Sequence, residues 1–322
     1  MRVRTINTIR AFLSYLKSSV TGRAFISGMP VSAGVELTNH CNLNCPECNA
    51  GSGLMTRERG YMNIGLFDKL LTEIEPYLLY LRLYFQGEPM MHPHFFSFLE
   101  RSRHINTVLS TNGHFLSKEN AGKIAASGLN KIIIPVDGTD QETYSSYRIN
   151  GDLAMVMDGL KNITEEKKRV SSRLIIEIQF LVNKKNEHQI SSVRHLAREM
   201  NVSLKLKSMQ IINEGDYETW LPSEPHFARY RKENGVYSIK SSLPNRCARL
   251  WFNPVITWDG KVVPCCFDKN ADHIMGDINE RSFREIWEGK EYRKFRERIL
   301  TSRQSIEICR NCTSGLRGVR YR

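Results

Sequence analysis

The stretch Glu36-Leu-Thr-Asn-His-Cys41-Asn-Leu-Asn-Cys45-Pro-Glu-Cys48 directly follows a short apolar run. Its C-x3-C-x2-C spacing puts three thiolates on one loop, which can hold three irons of a [4Fe–4S] cube and leave the fourth iron open to a small molecule. The alternative is half of a zinc site, although zinc sites favour two C-x2-C pairs or a mixture of cysteine and histidine. His40 precedes Cys41, but adjacent side chains in an extended loop point apart. The spacing therefore favours a cluster held by Cys41, Cys45 and Cys48.

Strand-like and helical patterns alternate after this loop, which predicts an α/β fold with a parallel sheet. The strand-like runs lie near residues 32–38, 80–85, 106–111, 131–136, 173–182 and 203–208. The helical patterns cover residues 66–77, 94–103, 117–127, 153–170 and 186–200. Ligands of such folds gather at the carboxyl ends of the strands, so we expect the site there.

Four segments follow the cysteine loop in the order found in the radical S-adenosylmethionine (SAM) superfamily, and the chain resembles that family. They are Gln86-Gly87-Glu88-Pro89, Ser110-Thr-Asn112, Asp137-Gly138 and Glu177-Ile-Gln179. Each segment is common by itself, and their shared order is what supports the resemblance. The resemblance implies a partial (β/α)6 TIM-like barrel with a SAM-binding [4Fe–4S] cluster.

The same resemblance implies roles for these segments in SAM binding. The Gln86–Pro89 turn and the Glu88 carboxylate would hold the ammonium group, and Ser110 and Asn112 would meet the ribose or carboxylate. Glu177 and Gln179 point to one face of the fifth strand by their period of two. One position departs from the family, because Glu47 stands where many members carry an aromatic residue that packs on adenine.

A second group of cysteines near the C-terminus resembles the SPASM module in its shortened Twitch form. It consists of Cys247, the hairpin-like run Gly260-Lys-Val-Val-Pro-Cys265-Cys266, and Cys309-Arg-Asn-Cys312. The resemblance implies one auxiliary [4Fe–4S] cluster on Cys247, Cys265, Cys309 and Cys312. Neighbouring residues of a strand face opposite ways, so only one of Cys265 and Cys266 should bind, and the glycine spacing favours Cys265. A zinc ion on four thiolates is the alternative for this pattern in isolation.

The implied activity is reductive cleavage of SAM to a 5′-deoxyadenosyl radical that abstracts hydrogen from a substrate, with flavodoxin or ferredoxin as electron donor. The auxiliary cluster would accept the second electron, giving a two-electron oxidation of a small hydroxylated or anionic metabolite. Alternatives are a maturase acting on a peptide or protein, and an iron–sulfur redox or sensor protein without SAM turnover. The candidate catalytic residues at the barrel mouth are Asp137, Arg148, Gln179 and Lys207, and each could equally be structural.

Composition bounds the class of protein. The 322 residues are 41% hydrophobic, which allows one large domain and one small domain. The longest apolar run, residues 78–85, is interrupted by Arg82 and there is no secretory signal, so we expect eight reduced cysteines in the cytoplasm. The formal charge of +12 indicates either a cationic, well-solvated surface or the attraction of an anionic partner. Nucleic acid is the least favoured partner because aromatic residues are sparse in the basic runs.

The predicted domains are an N-terminal extension (1–30), the barrel (31–213), an irregular linker (214–246) and the auxiliary cluster domain (247–322) with a loose basic tail from Gly315. The extension predicts a basic amphipathic helix. Its apolar positions are Ile6, Ile9, Phe12, Leu13 and Leu16, and its basic positions are Arg2, Arg4, Arg10 and Lys17. Such a helix packs on its own domain, docks a partner or makes peripheral contact with a membrane.

Overall fold

The computed structural model describes residues 2–312, so the expected loose tail lies outside the described residues. The fold is α/β, as predicted. Its strands are β1 Ser32–Val35, β2 Tyr80–Arg82, β3 Thr107–Ser110, β4 Lys131–Pro135, β5 Ile175–Val182, β6 Ser203–Ser208, β7 Tyr230–Glu233, β8 Val236–Ile239, β9 Val255–Ile256, β10 Lys261–Val263 and β11 Gly276–Asp277.

The α-helices between these strands fall where the periodic patterns predicted them, with short additions. They are α1 Arg2–Thr21, α2 Asn49–Ser52, α3 Ile64–Ile74, α4 Phe95–Arg101, α5 Lys118–Ala126, α6 Gln141–Tyr147, α7 Leu153–Arg169, α8 Ile190–Glu199, α9 Tyr217–Trp220, α10 Arg249–Phe252, α11 Phe283–Glu288, α12 Lys290–Ser302 and α13 Glu307–Arg310. Short 3-10 turns occupy Glu75–Tyr77, Pro89–Met91, Glu187–Gln189, Glu214–Asp216 and Arg303–Ser305. Among the described helices, none has the length and apolar character needed to cross a bilayer.

The chain divides into two compact units. Within the described residues, unit 1 contains 2–40, 55–107 and 242–312, and unit 2 contains 41–54 and 108–241. This division does not follow the predicted domain boundaries. The reason is that β9, from the C-terminal region, pairs in parallel with β1, so the C-terminal hairpin extends the sheet that begins the barrel.

Each unit carries its own set of paired strands. In unit 1, β1 pairs in parallel with both β2 and β9, and β10 pairs antiparallel with β9 and β11. In unit 2, β3, β4, β5 and β6 pair in parallel in that order. The strand β4 is buried along Ile132–Pro135, as expected for a parallel strand covered on both faces. The parallel strands therefore place their carboxyl ends, and the loops that follow them, along one edge of each sheet.

Side-chain caps fix where the unit 2 helices begin. At the start of α5, the Ser117 side chain accepts a hydrogen bond from the Asn120 amide. The side chains of Asp140 and Asp152 likewise accept from backbone amides at the starts of α6 and α7. A cap of this kind stabilises a helix by about 1 kcal/mol. These capping residues therefore fix where the helices of unit 2 begin.

Two predicted elements differ in the structure. The linker 214–246 is not irregular throughout, because β7 and β8 form an antiparallel hairpin around Asn234 and Gly235, whose φ angles are 50° and 82°. Two central residues with positive φ make the tight turn that suits a two-residue hairpin. The sequence pattern of residues 282–299 predicts one helix, but the structure has two, because α11 ends at Glu288, Gly289 follows, and α12 begins at Lys290.

Candidate active site

The cysteine loop of unit 2 rests on an apolar base. Cys45 is buried beside Leu43, Tyr147 and Ile211, and the Asn44 amide donates to the Ile149 carbonyl at 3.0 Å. Burial raises the pKa of the Cys45 thiol, and the neighbouring Cys48 raises it further. The loop is therefore held in one conformation, and Cys45 faces little water.

Hydrogen-bond donors point at the sulfur atoms of this loop. The Leu43 amide donates to Cys41 Sγ at 3.5 Å, and Arg148 Nη1 donates to Cys45 Sγ at 3.6 Å. Donors and a cation beside sulfur favour the thiolate form, which is the form that binds iron. The donor set therefore fits an iron–sulfur cluster.

Asp137 and Arg148, both predicted as catalytic candidates, form an ion pair. The buried Asp137 Oδ2 accepts from Arg148 Nε at 2.7 Å and from Nη2 at 2.6 Å. Its Oδ1 accepts from the Leu181 amide at 2.6 Å. Burial alone would lower the pKa of Arg148, but Asp137 and Cys45 beside it raise that pKa well above its usual value. Asp137 therefore positions Arg148 toward Cys45.

Asn112, at the carboxyl end of β3, contacts the cysteine loop. Its Nδ2 donates to Asn42 Oδ1 at 2.7 Å, and Asn42 directly follows Cys41. Its Oδ1 accepts from the His114 amide at 3.1 Å. Asn112 therefore lies beside the cysteine loop, and its contact with SAM stays a prediction.

Glu47 hydrogen-bonds the backbone at the position where the family resemblance leads us to expect an aromatic residue. Its Oε2 accepts from the backbone amides of Ile212 and Asn213, and its carboxyl group also lies beside that of Asp216. Burial raises the pKa of Glu47, and the two amides lower it. Glu47 therefore ties the cysteine loop to the segment that follows β6.

The Gln86–Pro89 turn of unit 1 packs on the two residues that precede Cys41. A Cβ on Gly87 would lie 2.6 Å from Asn39 Cα and from the His40 carbonyl oxygen, and its φ of 75° also favours glycine. The Glu88 amide donates to the His40 carbonyl at 2.7 Å. The buried Glu88 carboxylate accepts from the Met90 amide at 3.0 Å, which caps the 3-10 turn. The close approach at Gly87 thus packs this turn against the backbone of Asn39 and His40 within unit 1.

A buried ion pair stands behind the same turn. Glu36 at the end of β1 accepts two hydrogen bonds from Arg57, at 2.7 and 2.8 Å. The backbone of Gln86 also hydrogen-bonds Glu36, and the Trp258 amide donates to it at 3.2 Å. Gln86 Oε1 is buried and has no hydrogen-bond partner among residues 2–312, so the turn offers an acceptor to a ligand.

The remaining predicted residues are less closely grouped. Ser110 is half-buried at the end of β3, and Gln179 and Lys207 are half-buried within β5 and β6. Glu177 lies toward the beginning of β5, where its carboxylate pairs with Lys131 at 2.5 Å. The register places Glu177 opposite Ile133 in the middle of β4, and its predicted contact with SAM stays a prediction.

The predicted auxiliary cysteines gather in unit 1. Cys247, Cys265, Cys309 and Cys312 are all buried, and Cys266 is half-buried. Burial raises the pKa of Cys309 to about 12, and Cys247 and Cys312 contribute to the increase. Burial also raises the pKa of Cys265 well above its usual value, with Cys266 and Cys247 beside it. These mutual effects mean that the five thiols share one small region.

Two arginines lie beside these thiols, Arg249 at Cys266 and Arg303 at Cys309. Arg249 Nη1 donates to Cys266 Sγ at 3.4 Å. Cys266 first, and then Cys265, Cys312 and Cys247, raise the pKa of Arg249. The sequence contains only a weak signal for this role, because Arg249 follows the predicted ligand Cys247 by two residues.

Cys265 and Cys266 do not lie in a strand, contrary to the prediction. The strand β10 ends at Val263, and both cysteines lie in the turn beyond Pro264, which lacks the amide needed to continue the ladder. Alternation along a strand therefore does not apply to them. The structure distinguishes them in another way, since Cys265 is buried and Cys266 faces Arg249.

The described part of the chain has no preformed site for a single metal ion. Within residues 2–312, no three His, Cys, Asp or Glu side chains converge on one point, as the ligands of one ion would. The role of the cysteines as cluster ligands stays a prediction from their spacing, supported by their burial and nearby donors.

Comparison with known proteins identifies the family. Residues 35–187 match the radical SAM superfamily, and residues 247–313 match the SPASM iron–sulfur cluster-binding domain. The chain belongs to the radical SAM superfamily. This membership confirms the predicted partial barrel, the use of SAM with iron–sulfur chemistry, and an enzyme rather than a sensor. Together the two matches cover more than half of this chain.

Three curated relatives show the range of activities in the superfamily. An AdoMet-dependent heme synthase of Methanosarcina barkeri is 24% identical, over 81% of this chain and 83% of the relative. The mycofactocin maturase MftC of Mycobacterium tuberculosis is 24% identical, over 88% and 75%. The SAM-dependent 2-deoxy-scyllo-inosamine dehydrogenase of Niallia circulans is 22% identical, over 87% and 91%.

Solved structures share the fold. BtrN in complex with AdoMet and 2-DOIA is similar with a TM-score of 0.55 and 19% identity, over 89% of this chain and 94% of BtrN. SuiB of Streptococcus suis bound to its precursor peptide SuiA has a TM-score of 0.64 and 15% identity, over 98% and 75%. At these identities the likeness establishes the fold and leaves the substrate open.

Proposed function

We propose that this radical SAM enzyme carries out a net two-electron oxidation of a small hydroxylated or anionic metabolite. The observation that carries the proposal is the group of four buried cysteines in unit 1, with a fifth cysteine paired to Arg249. Four thiolates close the coordination of a [4Fe–4S] cluster, and such a cluster is suited to electron transfer. A second cluster gives the substrate radical a place to leave its electron.

The chain's own residues would divide the work between the two clusters. Cys41, Cys45 and Cys48 would hold the SAM-binding cluster, and Cys247, Cys265, Cys309 and Cys312 the auxiliary one. When bound, SAM and the reduced cluster supply the 5′-deoxyadenosyl radical that abstracts hydrogen. Arg148 would stabilise the thiolate of Cys45, and Gln86, Gly87, Glu88 and Pro89 would orient SAM. Flavodoxin or ferredoxin would deliver the first electron.

A metabolite substrate is supported by the relative that is named a 2-deoxy-scyllo-inosamine dehydrogenase, because the alignment spans 91% of that enzyme and 87% of this chain. A peptide or protein substrate is the second candidate, because a curated relative of comparable identity is a maturase.

The test compares two cysteine variants of the anaerobically reconstituted enzyme. Cys265→Ala should lose or alter the auxiliary cluster spectrum and keep uncoupled SAM cleavage, because its SAM-binding cysteines are intact. Cys266→Ala should keep both cluster spectra. Hydroxylated metabolites, carboxylated metabolites and peptides are then assayed for loss of two hydrogens. Full product formation by Cys265→Ala would refute the electron-acceptor role, and a peptide product would replace the metabolite class.

A further inference from the structure

The helix α1 packs on its own unit with small and polar residues, and its bulky apolar residues are exposed. Its buried residues are Asn7, Ala11, Ser14 and Ser18, all small or polar. Its bulky apolar residues are between 42% and 86% exposed: Ile6, Ile9, Phe12, Leu13, Leu16 and Val20. We call these six residues the outward face of α1.

A series of hydrogen bonds from the polar side fixes this orientation. Asn7 exchanges two hydrogen bonds with the Met29 backbone, at 2.9 and 2.8 Å. The Ser27 amide donates to Ser14 Oγ at 2.9 Å, and the Phe25 amide donates to Ser18 Oγ at 2.9 Å. Rotating the helix to bury its apolar side would break these bonds and bury groups without partners. The outward face is therefore held outward by the segment that follows the helix.

The charge around the outward face is of one sign. Arg2, Arg10 and Lys17 are exposed on α1, and Arg23 is exposed just beyond it. The first acidic residue of the chain is Glu36, so α1 and the segment behind it carry no negative charge. An exposed apolar stripe beside basic residues on a helix of 20 residues fits the interface of an anionic membrane.

We propose that the outward face of α1 docks the enzyme on the surface of an anionic lipid bilayer. The apolar side chains would enter the boundary between head groups and acyl chains, and the basic residues would meet the lipid phosphates. A second copy of the chain fits less well, because a symmetric contact would bring these basic residues together without an acidic partner.

Vesicle sedimentation of the reconstituted full-length enzyme tests this proposal. The wild type should sediment with vesicles of equimolar phosphatidylcholine and phosphatidylglycerol, and more weakly with phosphatidylcholine alone. The double variant Ile9→Glu/Leu13→Glu should bind the anionic vesicles more than about tenfold less. Arg10→Gln/Lys17→Gln should also bind them less, by about fivefold for each charge removed, with a smaller dependence on salt.

The matched control is Ile175→Glu/Val236→Glu, which adds the same charge at two exposed apolar residues outside α1. It should bind vesicles like the wild type, and unchanged iron content and circular dichroism would show that all variants fold. The proposal is overturned if the wild type does not bind the anionic vesicles, or if Ile9→Glu/Leu13→Glu binds them equally well. It is also overturned if sedimentation without lipid shows a dimer that Ile9→Glu/Leu13→Glu dissociates.

Discussion

At the scale of single residues, most polar side chains near the candidate site hold the protein's own groups. Asp137 orients Arg148, Glu47 accepts from backbone amides, and Glu88 caps a turn. Two residues predicted as catalytic candidates thus have partners that explain them as positioning residues. The groups predicted to hold ligands are the cysteine sulfur atoms and Gln86 Oε1, which has no hydrogen-bond partner among residues 2–312.

Arg148 should set the potential of the SAM-binding cluster. A cation beside Cys45 favours the reduced, more negative cluster, so Arg148→Met should lower its midpoint potential by on the order of 50 mV, and Arg148→Lys by less. The measurement is a redox titration followed by electron paramagnetic resonance. Arg169→Met is the control, because Arg169 is ion-paired on the exposed side of α7. Equal potentials for wild type and Arg148→Met would contradict the assignment.

His92 should make the stability depend on pH. Its Nε2 lies 3.0 Å from the Met62 carbonyl and its Nδ1 accepts from the His94 amide, while burial lowers its pKa. The folded state therefore resists protonation, and the unfolded chain takes up a proton below its ordinary value of about 6.5. The free energy of unfolding should fall as pH drops through that value, and should fall less in His92→Gln. Parallel pH profiles from urea unfolding would count against this.

At the scale of elements, the turn after β2 depends on one glycine. Gly87→Ala would force its Cβ against the backbone of Asn39 and His40. We expect the variant to keep its iron but to bind SAM more than about tenfold more weakly, as measured by titration calorimetry.

Gly235→Ala is the matched control for this turn. Gly235 has a similar positive φ of 82°, but no atom lies within 4 Å of an added Cβ. The Gly235→Ala variant should lose about 1 kcal/mol of stability but should bind SAM as tightly as the wild type. Equal SAM affinities of the two variants would show that the close approach at Gly87 has no part in binding.

At the scale of the whole molecule, the repeated strand–helix pattern predicted the parallel strands well. The patterns succeed because burial of parallel strands and amphipathic helices is written into local spacing. The prolines around Asn234-Gly235 predict an irregular linker over 214–246. The structure has the hairpin β7–β8 there, and Asn234-Gly235 is the strong turn signal for it. The pairs Glu36–Arg57 and Asp137–Arg148 join residues 21 and 11 positions apart, and no local pattern predicts such contacts.

The orientation of α1 also could not be predicted from its apolar spacing. Spacing shows which residues share a face, but not which face the protein covers. The choice was made by Asn7, Ser14 and Ser18, whose partners lie in the segment after the helix. Polar contacts of this kind become visible only in the folded chain.

Iron and sulfide content tests the central claim most directly, namely that this radical SAM chain holds two clusters on two separate cysteine sets. Anaerobically reconstituted wild type should contain about eight irons with a similar number of sulfides. Replacing Cys41, Cys45 and Cys48 together by Ala should leave about half of the iron, and should abolish release of 5′-deoxyadenosine on reduction with SAM. Full iron retention by that variant, or stoichiometric zinc in the native protein, would contradict the account.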